Sequence, residues 1–330
     1  IMGVKRGLDS NENLNERITE DEAALYDRQI RLWGLDCQKR LREARILIIG
    51  LNGLGVEVVK NLTLSGVKSV TIMDETPVSE LDYSAQYFVV GSAPGSTRAE
   101  ASKSAIQELN PNVTIVIDKD PVESKDAKFF AEFSVVFATG IPLKSLTKVN
   151  EICHKEDVLF FCGETWGFYG YGFLDLLSHN YSKKLKRDDT EATVFGKFDY
   201  CTLDSTLTLK FGSGLGKRTS KIFVLFHLIN HFFDVNQRFP SPLSREEDLN
   251  LLREYRDECV RNLNCDADKI PDSLLSCVFG ELAPICAAVG GILANEIIKG
   301  ISKQGEPLCN FLFFDGDECT GAVERIMPKP

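Results

Sequence analysis

A buried strand that runs directly into a glycine turn is the feature that most constrains the fold of this chain. The stretch "RILIIGLNGLG" covers residues 45–55, and its apolar run at 46–49 is typical of a strand buried on both faces. A helical pattern continues over 54–65 and ends at Gly66, a residue type favoured after a last helical turn. The glycines of the turn are Gly50, Gly53 and Gly55. The sequence therefore predicts a strand–turn–helix unit at the start of an α/β sheet.

Strands and helices alternate along the chain after this unit. The expected strands cover 69–73, 113–118, 134–138 and 158–162, and the expected helices cover 97–109, 124–132 and 143–154. Strands that are separated by helices predict a mostly parallel sheet with right-handed crossovers. Ahead of them, Thr19 and Glu22 are spaced as a capping box, which predicts a helix start at that point.

The second half of the chain is less regular, and we divide the whole chain into four parts. Residues 1–17 are expected to be a flexible N-terminus, 18–178 a Rossmann-like half-domain, 179–265 an inserted linker and helical segment, and 266–330 a return to the first domain. Around the boundary between residues 178 and 179 we expect 164–176 to be a strand that leaves the sheet and 179–197 to be a linker or mobile loop. Further helices are expected at 218–234 and 245–263, then a long helix that ends at Gly300 and a strand at 310–316.

Composition excludes several function classes. The net charge of −10 argues against nucleic-acid binding, which needs a basic face. We expect no membrane partner, because we expect no apolar run long enough to span a bilayer and find no secretory signal pattern at the start of the sequence. The ten cysteines are then expected to be reduced, and none forms a CxxC pair typical of zinc sites.

The glycine turn departs from the dinucleotide pattern G-x-G-x-x-G at its centre. Asn52 replaces the glycine that lets backbone amides approach a phosphate, although Asp74 stands at the end of the next strand, where an acid for a ribose is expected. A nicotinamide-dependent oxidoreductase is therefore disfavoured, and no catalytic His or Tyr-x-x-x-Lys set supports it. We interpret the turn as a structural one that keeps its glycines for close strand–helix packing.

Several longer stretches together carry a family resemblance. In chain order they are "ALYDRQIRLWG", "RILIIGLNGLG", "TRAEAS", "ELNPNV", "ELAPICAAVGGILANEIIK" and "FLFFDG". This ordered set resembles the ubiquitin-like-protein activating enzymes, and the length favours the smaller, regulatory half of a heterodimer from the SUMO-activating branch. The resemblance implies an α/β, Rossmann-like (ThiF/MoeB-type) adenylation fold, with an inserted loop and helical segment.

The resemblance also implies that the nucleotide site of this half is degenerate. Active halves of the family bind ATP and magnesium, but here Glu80 replaces an asparagine, Tyr83 a phosphate-binding arginine and Gly140 the region of a magnesium-binding aspartate. Arg98 alone keeps the basic charge expected at a family lysine. We therefore expect no functional cofactor or metal site in this chain. The degenerate site consists of Gly50, Asn52, Gly53, Gly55, Asp74 and Arg98.

Arg28, in "YDRQ", matches the family arginine that crosses the dimer interface into the partner's ATP site. A guanidinium can bind departing phosphate oxygens through paired hydrogen bonds and stays charged. The resemblance implies that Arg28 acts in trans, braced by Asp27 and Gln29. The implied partners are the catalytic subunit, which binds ATP and magnesium, then SUMO, and indirectly the SUMO-conjugating enzyme. The basic run 183–187 and the resemblance favour a nuclear location.

Other interpretations remain open on the sequence alone. A homodimeric adenylyltransferase of the sulfur-carrier type would need its own magnesium ligand and phosphate arginine, and a pure scaffold would not use Arg28. Cys201 precedes a threonine, as a thioester cysteine does, but we interpret it as structural. His227 and His231 are spaced i, i+4, yet no third metal ligand is apparent.

Overall fold

The computed structural model describes residues 19–91, 95–187 and 190–328, and one large sheet organises them. The strands in chain order are β1 (Arg45–Ile49), β2 (Ser69–Met73), β3 (Thr114–Asp118), β4 (Val135–Ala138), β5 (Leu159–Trp166), β6 (Tyr169–Asp175), β7 (Ser178–Arg187), β8 (Thr190–Asp199), β9 (Lys210–Phe211), β10 (Gly214–Leu215), β11 (Phe311–Asp315) and β12 (Thr320–Glu324). The helices are α1 (Glu20–Leu25), α2 (Asp27–Trp33), α3 (Leu35–Glu43), α4 (Gly53–Ser65), α5 (Arg98–Leu109), α6 (Ala127–Phe130), α7 (Leu143–Lys155), α8 (Leu203–Leu207), α9 (Lys221–Asn236), α10 (Arg245–Leu263), α11 (Asp272–Leu275) and α12 (Ala283–Ser302).

The main sheet has the strand order β12-β11-β6-β5-β4-β1-β2-β3. Strands β1 to β5 pair in parallel, whereas β6, β11 and β12 are each antiparallel to their neighbours. This mostly parallel, Rossmann-like arrangement confirms the predicted fold class. The chain leaves β1 toward β2 and β3 and returns on the other side as β4, so the connections that follow β1 and β4 continue toward opposite edges of the sheet. In open α/β sheets the crevice between two such loops is where ligands bind.

Apolar side chains fill both faces of the sheet. On one face the buried side chains of α3, α4, α5 and α12 pack together, and on the other those of α7, α9 and α10 do so. Helices α4 and α12 approach closely because Gly290 has no side chain: an added Cβ would lie 2.7 Å from Cβ of Glu57. Gly291 differs, because its own added Cβ would meet no atom within 4 Å. The small residues of α12 therefore pack against α4 on one side and leave open space on another.

Helix α12 corrects the expectation that no apolar segment is long enough to span a bilayer. Its 20 residues, with a mean hydropathy of 1.4, pass that test by length and composition. In the fold, 61% of its most apolar stretch is buried against the rest of the chain, as in the core helix of a globular domain. Polar residues within this helix, such as Glu296 and Lys299, obscured its length in the sequence.

Most element bounds lie within a few residues of those predicted, but three segments differ, 164–176, 124–132 and 179–197. The stretch 164–176 does not leave the sheet: β5 runs to Trp166, turns at Gly167 with φ +52°, and β6 returns antiparallel beside it. An added Cβ on Gly167 would lie 1.9 Å from the carbonyl oxygen of Cys277, so the turn needs glycine. The predicted helix 124–132 is reduced to the four residues of α6.

The stretch 179–197, expected to be a linker or mobile loop, lies in the hairpin of β7 and β8. His179 and Tyr181 point inward and are 3% and 8% exposed, while the residues on either side of His179 are exposed. The alternation was missed because a histidine takes an inward position that is usually apolar. Ser182 attaches β7 to the region after α12, donating its amide to the carbonyl oxygen of Lys303 at 3.0 Å. The four-part domain division itself stays a prediction.

Candidate functional site

The glycine turn after β1 is built by close backbone approaches. Gly50 has φ +88°, and an added Cβ would lie 2.1 Å from the carbonyl oxygen of Thr139. An added Cβ on Gly55 would lie 2.3 Å from the carbonyl oxygen of Gly50, and one on Gly53 would lie 2.5 Å from Cβ of Ala85. These glycines are required for packing where the loops after β1 and β4 meet, as the sequence predicted.

Asn52 is the N-cap of α4 and not simply an obstruction. Its Oδ1 accepts a hydrogen bond from the Gly55 amide at 2.9 Å, and the side chain is 7% exposed. Its Nδ2 donates to Thr139 Oγ1 at 3.2 Å and to Glu164 Oε1 at 2.9 Å. Asparagine at an N-cap satisfies an amide that otherwise has no partner at the start of a helix. Asn52 therefore occupies, from within the chain, an amide that would otherwise be free to bind a ligand.

Carboxylates accept hydrogen bonds from other backbone amides around the turn. The Leu51 amide donates to Asp74 Oδ2 at 2.6 Å, and the Gly53 amide donates to Glu281 Oε2 at 3.0 Å. On the loop after β4, the Gly140 amide donates to Glu164 Oε2 at 2.6 Å. Amides at such a helix start favour an anion, since they carry the positive end of the helix dipole. Here the anions are side chains of the same chain.

Two of these carboxylates sit close together in a dry environment. Burial, together with the nearby charge of Glu281, raises the pKa of Glu164 to about 7, while hydrogen bonds from the Gly140 and Thr165 amides act in the opposite direction. Burial also raises the pKa of Glu281, against hydrogen bonds from Gly53 and its neighbour and the charge of Arg98. A further anion in this space would meet negative charge at short range.

Arg98, the one cation predicted for the site, is engaged within the chain. Its Nε donates to Asp82 Oδ1 at 2.6 Å, and one terminal nitrogen lies 3.8 Å from Asp74 Oδ2. The side chains of Asp82 and Asp74 are 1% and 4% exposed, so this is a largely buried network. Tyr83, at the position of a family arginine, points to solvent and is 54% exposed.

Arg28 lies on α2, away from the glycine turn. Its side chain is exposed and forms no hydrogen bond or ion pair with any residue that the structure describes. Asp27, which we expected to brace it, instead accepts from Arg31 Nε at 3.1 Å. Gln29 binds the carbonyl oxygen of Leu64 through Nε2 at 3.2 Å. The two arginines of α2 therefore differ: Arg31 has a carboxylate partner on its own helix and Arg28 has none there.

The sequence did not predict the partners of three acidic residues of the site. Asp82, Glu164 and Glu281 bind Arg98, Gly140 and Gly53 respectively. A local signal was available only for Asp82, which also closes a capping box with Ser79. Glu164 lies 112 residues from Asn52, which it also binds, and Glu281 lies 228 residues from Gly53. Only the folded chain brings these residues together.

The other residues considered on the sequence lie in core-like surroundings. Burial raises the pKa of the Cys201 thiol, and its Sγ accepts a weak hydrogen bond from Asn310 Nδ2 at 3.7 Å. The His227 ring packs edge-on against Phe223, and burial lowers its pKa to about 4. Within residues 19–91, 95–187 and 190–328, no group of three or more His, Cys, Asp or Glu residues could hold a metal ion.

The sequence profile of the ThiF family matches residues 26–329, and the chain belongs to that family. Solved structures of Escherichia coli MccB, one with succinimide and one with MccA-N7isoASN, have the same fold, with TM-scores of 0.58 and 0.59. Both are 14% identical; they cover 93% and 96% of this chain and 72% and 75% of their own, respectively. The predicted adenylation-type fold is thereby confirmed.

More similar relatives narrow the family further. The chain is 39% identical to SUMO-activating enzyme subunit 1 of Homo sapiens over 94% of this chain and 97% of that protein. It is 39% identical to the Xenopus laevis protein of that name over 94% and 98%, and 38% identical to the Danio rerio one over 98% and 100%. The chain is thus a member of the SUMO-activating enzyme subunit 1 group, and the resemblance to the ubiquitin-like-protein activating enzymes is confirmed.

Proposed function

We propose that this chain is the non-catalytic, regulatory subunit of a SUMO-activating enzyme. It pairs with a catalytic subunit, and the heterodimer is an ATP-dependent enzyme of the ligase class. The pair adenylates the C-terminus of SUMO and then holds SUMO as a thioester on a cysteine of the catalytic subunit. The observation that carries the proposal is a contrast: side chains of this chain fill its own glycine turn, while Arg28 stands exposed with no partner among the residues that the structure describes.

The filled turn supports the view that this chain alone does not turn over ATP. A triphosphate at the start of α4 would have to displace Asp74 and Glu281 from the amides that they accept from. It would also face their charges without a free cation, since Arg98 is held by Asp82. The residues present therefore do not fit a triphosphate, and in this proposal ATP and magnesium bind to the catalytic subunit.

Arg28 has the chemistry that the partner's reaction needs. When a carboxylate attacks the α-phosphate of ATP, negative charge grows on the departing pyrophosphate. A guanidinium offers paired donors to those oxygens and does not lose its proton at physiological pH. A preorganised donor of this kind contributes a factor of about 100 or more in rate. We place Arg28 in this role, in trans.

The surface around Arg28 supports a protein partner there. Exposed leucines on α1 to α4 share this part of the fold with the arginine. They are Leu25, Leu32, Leu35 and Leu64, which are 58%, 73%, 47% and 43% exposed. A groove of about 250 Å³ between α2, α4 and α12 has Gln29, Trp33 and Gly291 in its walls. Apolar side chains with an arginine among them are typical of protein interfaces, and the occupant we propose is the catalytic subunit.

A nuclear location is a further part of the proposal. The basic run 183–187 lies on β7, where Lys183 pairs with Glu306 and Lys184 is exposed. A fluorescent fusion in which Lys183, Lys184 and Lys186 become alanine is expected to shift out of the nucleus. Unchanged nuclear accumulation would reject the run as the import signal. SUMO and, indirectly, the SUMO-conjugating enzyme complete the proposed partners.

ATP–pyrophosphate exchange tests the central proposal. The purified chain should show no exchange, and the chain with the catalytic subunit and SUMO should show it. An Arg28→Ala complex should assemble normally and exchange about 100-fold more slowly. Arg31→Ala, a loss of an exposed arginine three residues away, is the matched control and should stay within about 2-fold.

Each alternative predicts a different result in the same assay. Exchange by the chain alone would support a self-sufficient adenylyltransferase of the sulfur-carrier type. Normal exchange by the Arg28→Ala complex would leave the chain as a scaffold. Tight binding of NAD in calorimetry would favour an oxidoreductase.

A further inference from the structure

Helix α2, which carries Arg28, has little of its own to hold it in place. It has only seven residues, and none of them is buried. A helix this short is marginal in water unless tertiary contacts hold it. The position of Arg28 must therefore depend on contacts at the ends of α2 and outside it.

Tyr26 provides one such contact, at the N-cap of α2. The side chain is 5% exposed, and its ring lies against Gly66, where an added Cβ would be 2.5 Å from ring atom Cζ. The Tyr26 hydroxyl accepts a hydrogen bond from Asn110 Nδ2 at 2.8 Å. Gly66 has φ +78° and ends α4. The tyrosine thus fixes the start of α2 on the last turn of α4.

Asn110 links this contact to a second part of the chain. It follows α5 in the stretch "ELNPNV" and is 3% exposed. Its Nδ2 also donates to the carbonyl oxygen of Thr63 at 2.9 Å, and its Oδ1 accepts from the Asn112 amide at 3.1 Å. One buried amide therefore joins Tyr26, the end of α4 and the turn after α5. Two motifs 84 residues apart in sequence meet here.

Gln29 completes the attachment on the other side of Arg28. Its Nε2 binds the carbonyl oxygen of Leu64 at 3.2 Å, so it contacts the same last turn of α4. Arg28 lies between two residues that are both held at that turn, one through Asn110 and one directly. A guanidinium on a fixed backbone loses less freedom when it binds phosphate, so more of its hydrogen-bond energy lowers the barrier.

We propose that Tyr26 and Asn110 are positioning residues for Arg28, acting through their hydrogen bond and their contacts with the end of α4. This inference rests on the proposed function, because it concerns how Arg28 reaches the partner's ATP. Neither residue touches phosphate. Tyr26→Phe removes the hydroxyl and keeps the ring on Gly66, whereas Asn110→Ala removes the whole link.

The test is a double-mutant cycle measured by ATP–pyrophosphate exchange in the assembled heterodimer. Tyr26→Phe should lower kcat about 3-fold and Asn110→Ala about 10-fold, with KM for SUMO unchanged. In an Arg28→Ala background neither should lower the rate further, since the residue through which they act is gone. Gln107→Ala is the matched control. It deletes hydrogen bonds to the same turn, at Asn110 O and Val113 O, without touching α2, and should leave kcat unchanged.

The outcomes separate this inference from the proposed function. If Arg28→Ala is slow but the Tyr26→Phe and Asn110→Ala losses multiply with it, the positioning role is overturned and the proposed function stands. Single variants at the wild-type rate would also overturn it. If Arg28→Ala itself exchanges normally, the proposed function has failed. Thermal unfolding of each variant complex shows whether a lost rate follows from a lost fold.

Discussion

Arg98 at the glycine turn and Arg28 on α2 differ in whether a carboxylate of the chain binds them. At the turn, Arg98 is held by Asp82 and lies near Asp74, and neighbouring amides are bound by carboxylates of the same chain. On α2, Asp27 pairs with Arg31, which leaves Arg28 exposed. The comparison teaches that where a chain places its own carboxylates decides whether an arginine is held within that chain or left exposed.

The largest expected effect tests whether Arg28 acts as a guanidinium or only as a charge. We expect the Arg28→Ala heterodimer to lose about 100-fold in exchange rate, and Arg28→Lys to lose about 10-fold, because lysine keeps the charge but not the paired donors. Single-turnover formation of SUMO-adenylate measures both. Full activity of Arg28→Lys would show that the fork geometry is irrelevant.

The next effect concerns the backbone of the turn. Gly50→Ala should lower the free energy of unfolding by about 3 kcal/mol or more, because the new Cβ meets the Thr139 carbonyl and φ is +88°. Chemical denaturation of the isolated chain measures this. Gly291→Ala is the control: it sits in open space within α12 and should raise stability by about 0.5–1 kcal/mol. A tolerated Gly50→Ala would contradict the close approach described here.

A smaller effect is expected from removing one of the carboxylates that bind the amides of the glycine turn. Glu281→Ala should free the Gly53 amide and permit weak pyrophosphate binding, with Kd on the order of 1–10 mM, whereas the wild-type chain should show none. Glu281→Gln keeps an acceptor for that amide, so it should stay closed. Nuclear magnetic resonance titration of amide shifts at the turn can detect such weak binding. Equal binding of pyrophosphate by the wild-type chain would show that Glu281 does not block the turn, and the contrast with the α2 segment would then fail.

The smallest effect is a pH dependence that arises from Glu164. Because burial and the charge of Glu281 raise its folded pKa to about 7, from 4.5 in the unfolded chain, the folded chain binds more protons than the unfolded chain between these values. The stability contributed by protonated Glu164 is fully present below pH 4.5 and is lost as pH rises through 7. Glu164→Gln should flatten this pH dependence, because the glutamine does not titrate. Urea unfolding from pH 5 to pH 8 measures it, and exposed Glu132→Gln should keep the wild-type slope.

Local sequence rules predicted the frame of both regions. The capping box of Thr19 and Glu22, the turn glycines and the helix end at Gly66 all depend on neighbours within a few residues, and each is present. Such features follow from backbone sterics and orphan amides, which a short sequence displays directly.

What the sequence did not predict depends on distant contacts. Asn52 looked like an obstruction because its role as a hydrogen-bonding hub requires Thr139 and Glu164, which are 87 and 112 residues away. The bracing of Arg28 by Asp27 was wrong because Arg31, one turn further along the same helix, competes for that carboxylate. The inward His179 hid the hairpin, since the inward positions of a strand are usually apolar.

Helix α4 connects the two regions, and its length has a consequence for both. It starts at the glycine turn and ends where Tyr26 and Gln29 attach, and its 13 residues extend about 20 Å. Adding or deleting one residue in α4 would rotate its far end by about 100° and shift it by about 1.5 Å. The glycine turn is thus the fixed origin of a spacer, and the number of residues in that spacer sets where Arg28 stands relative to the sheet.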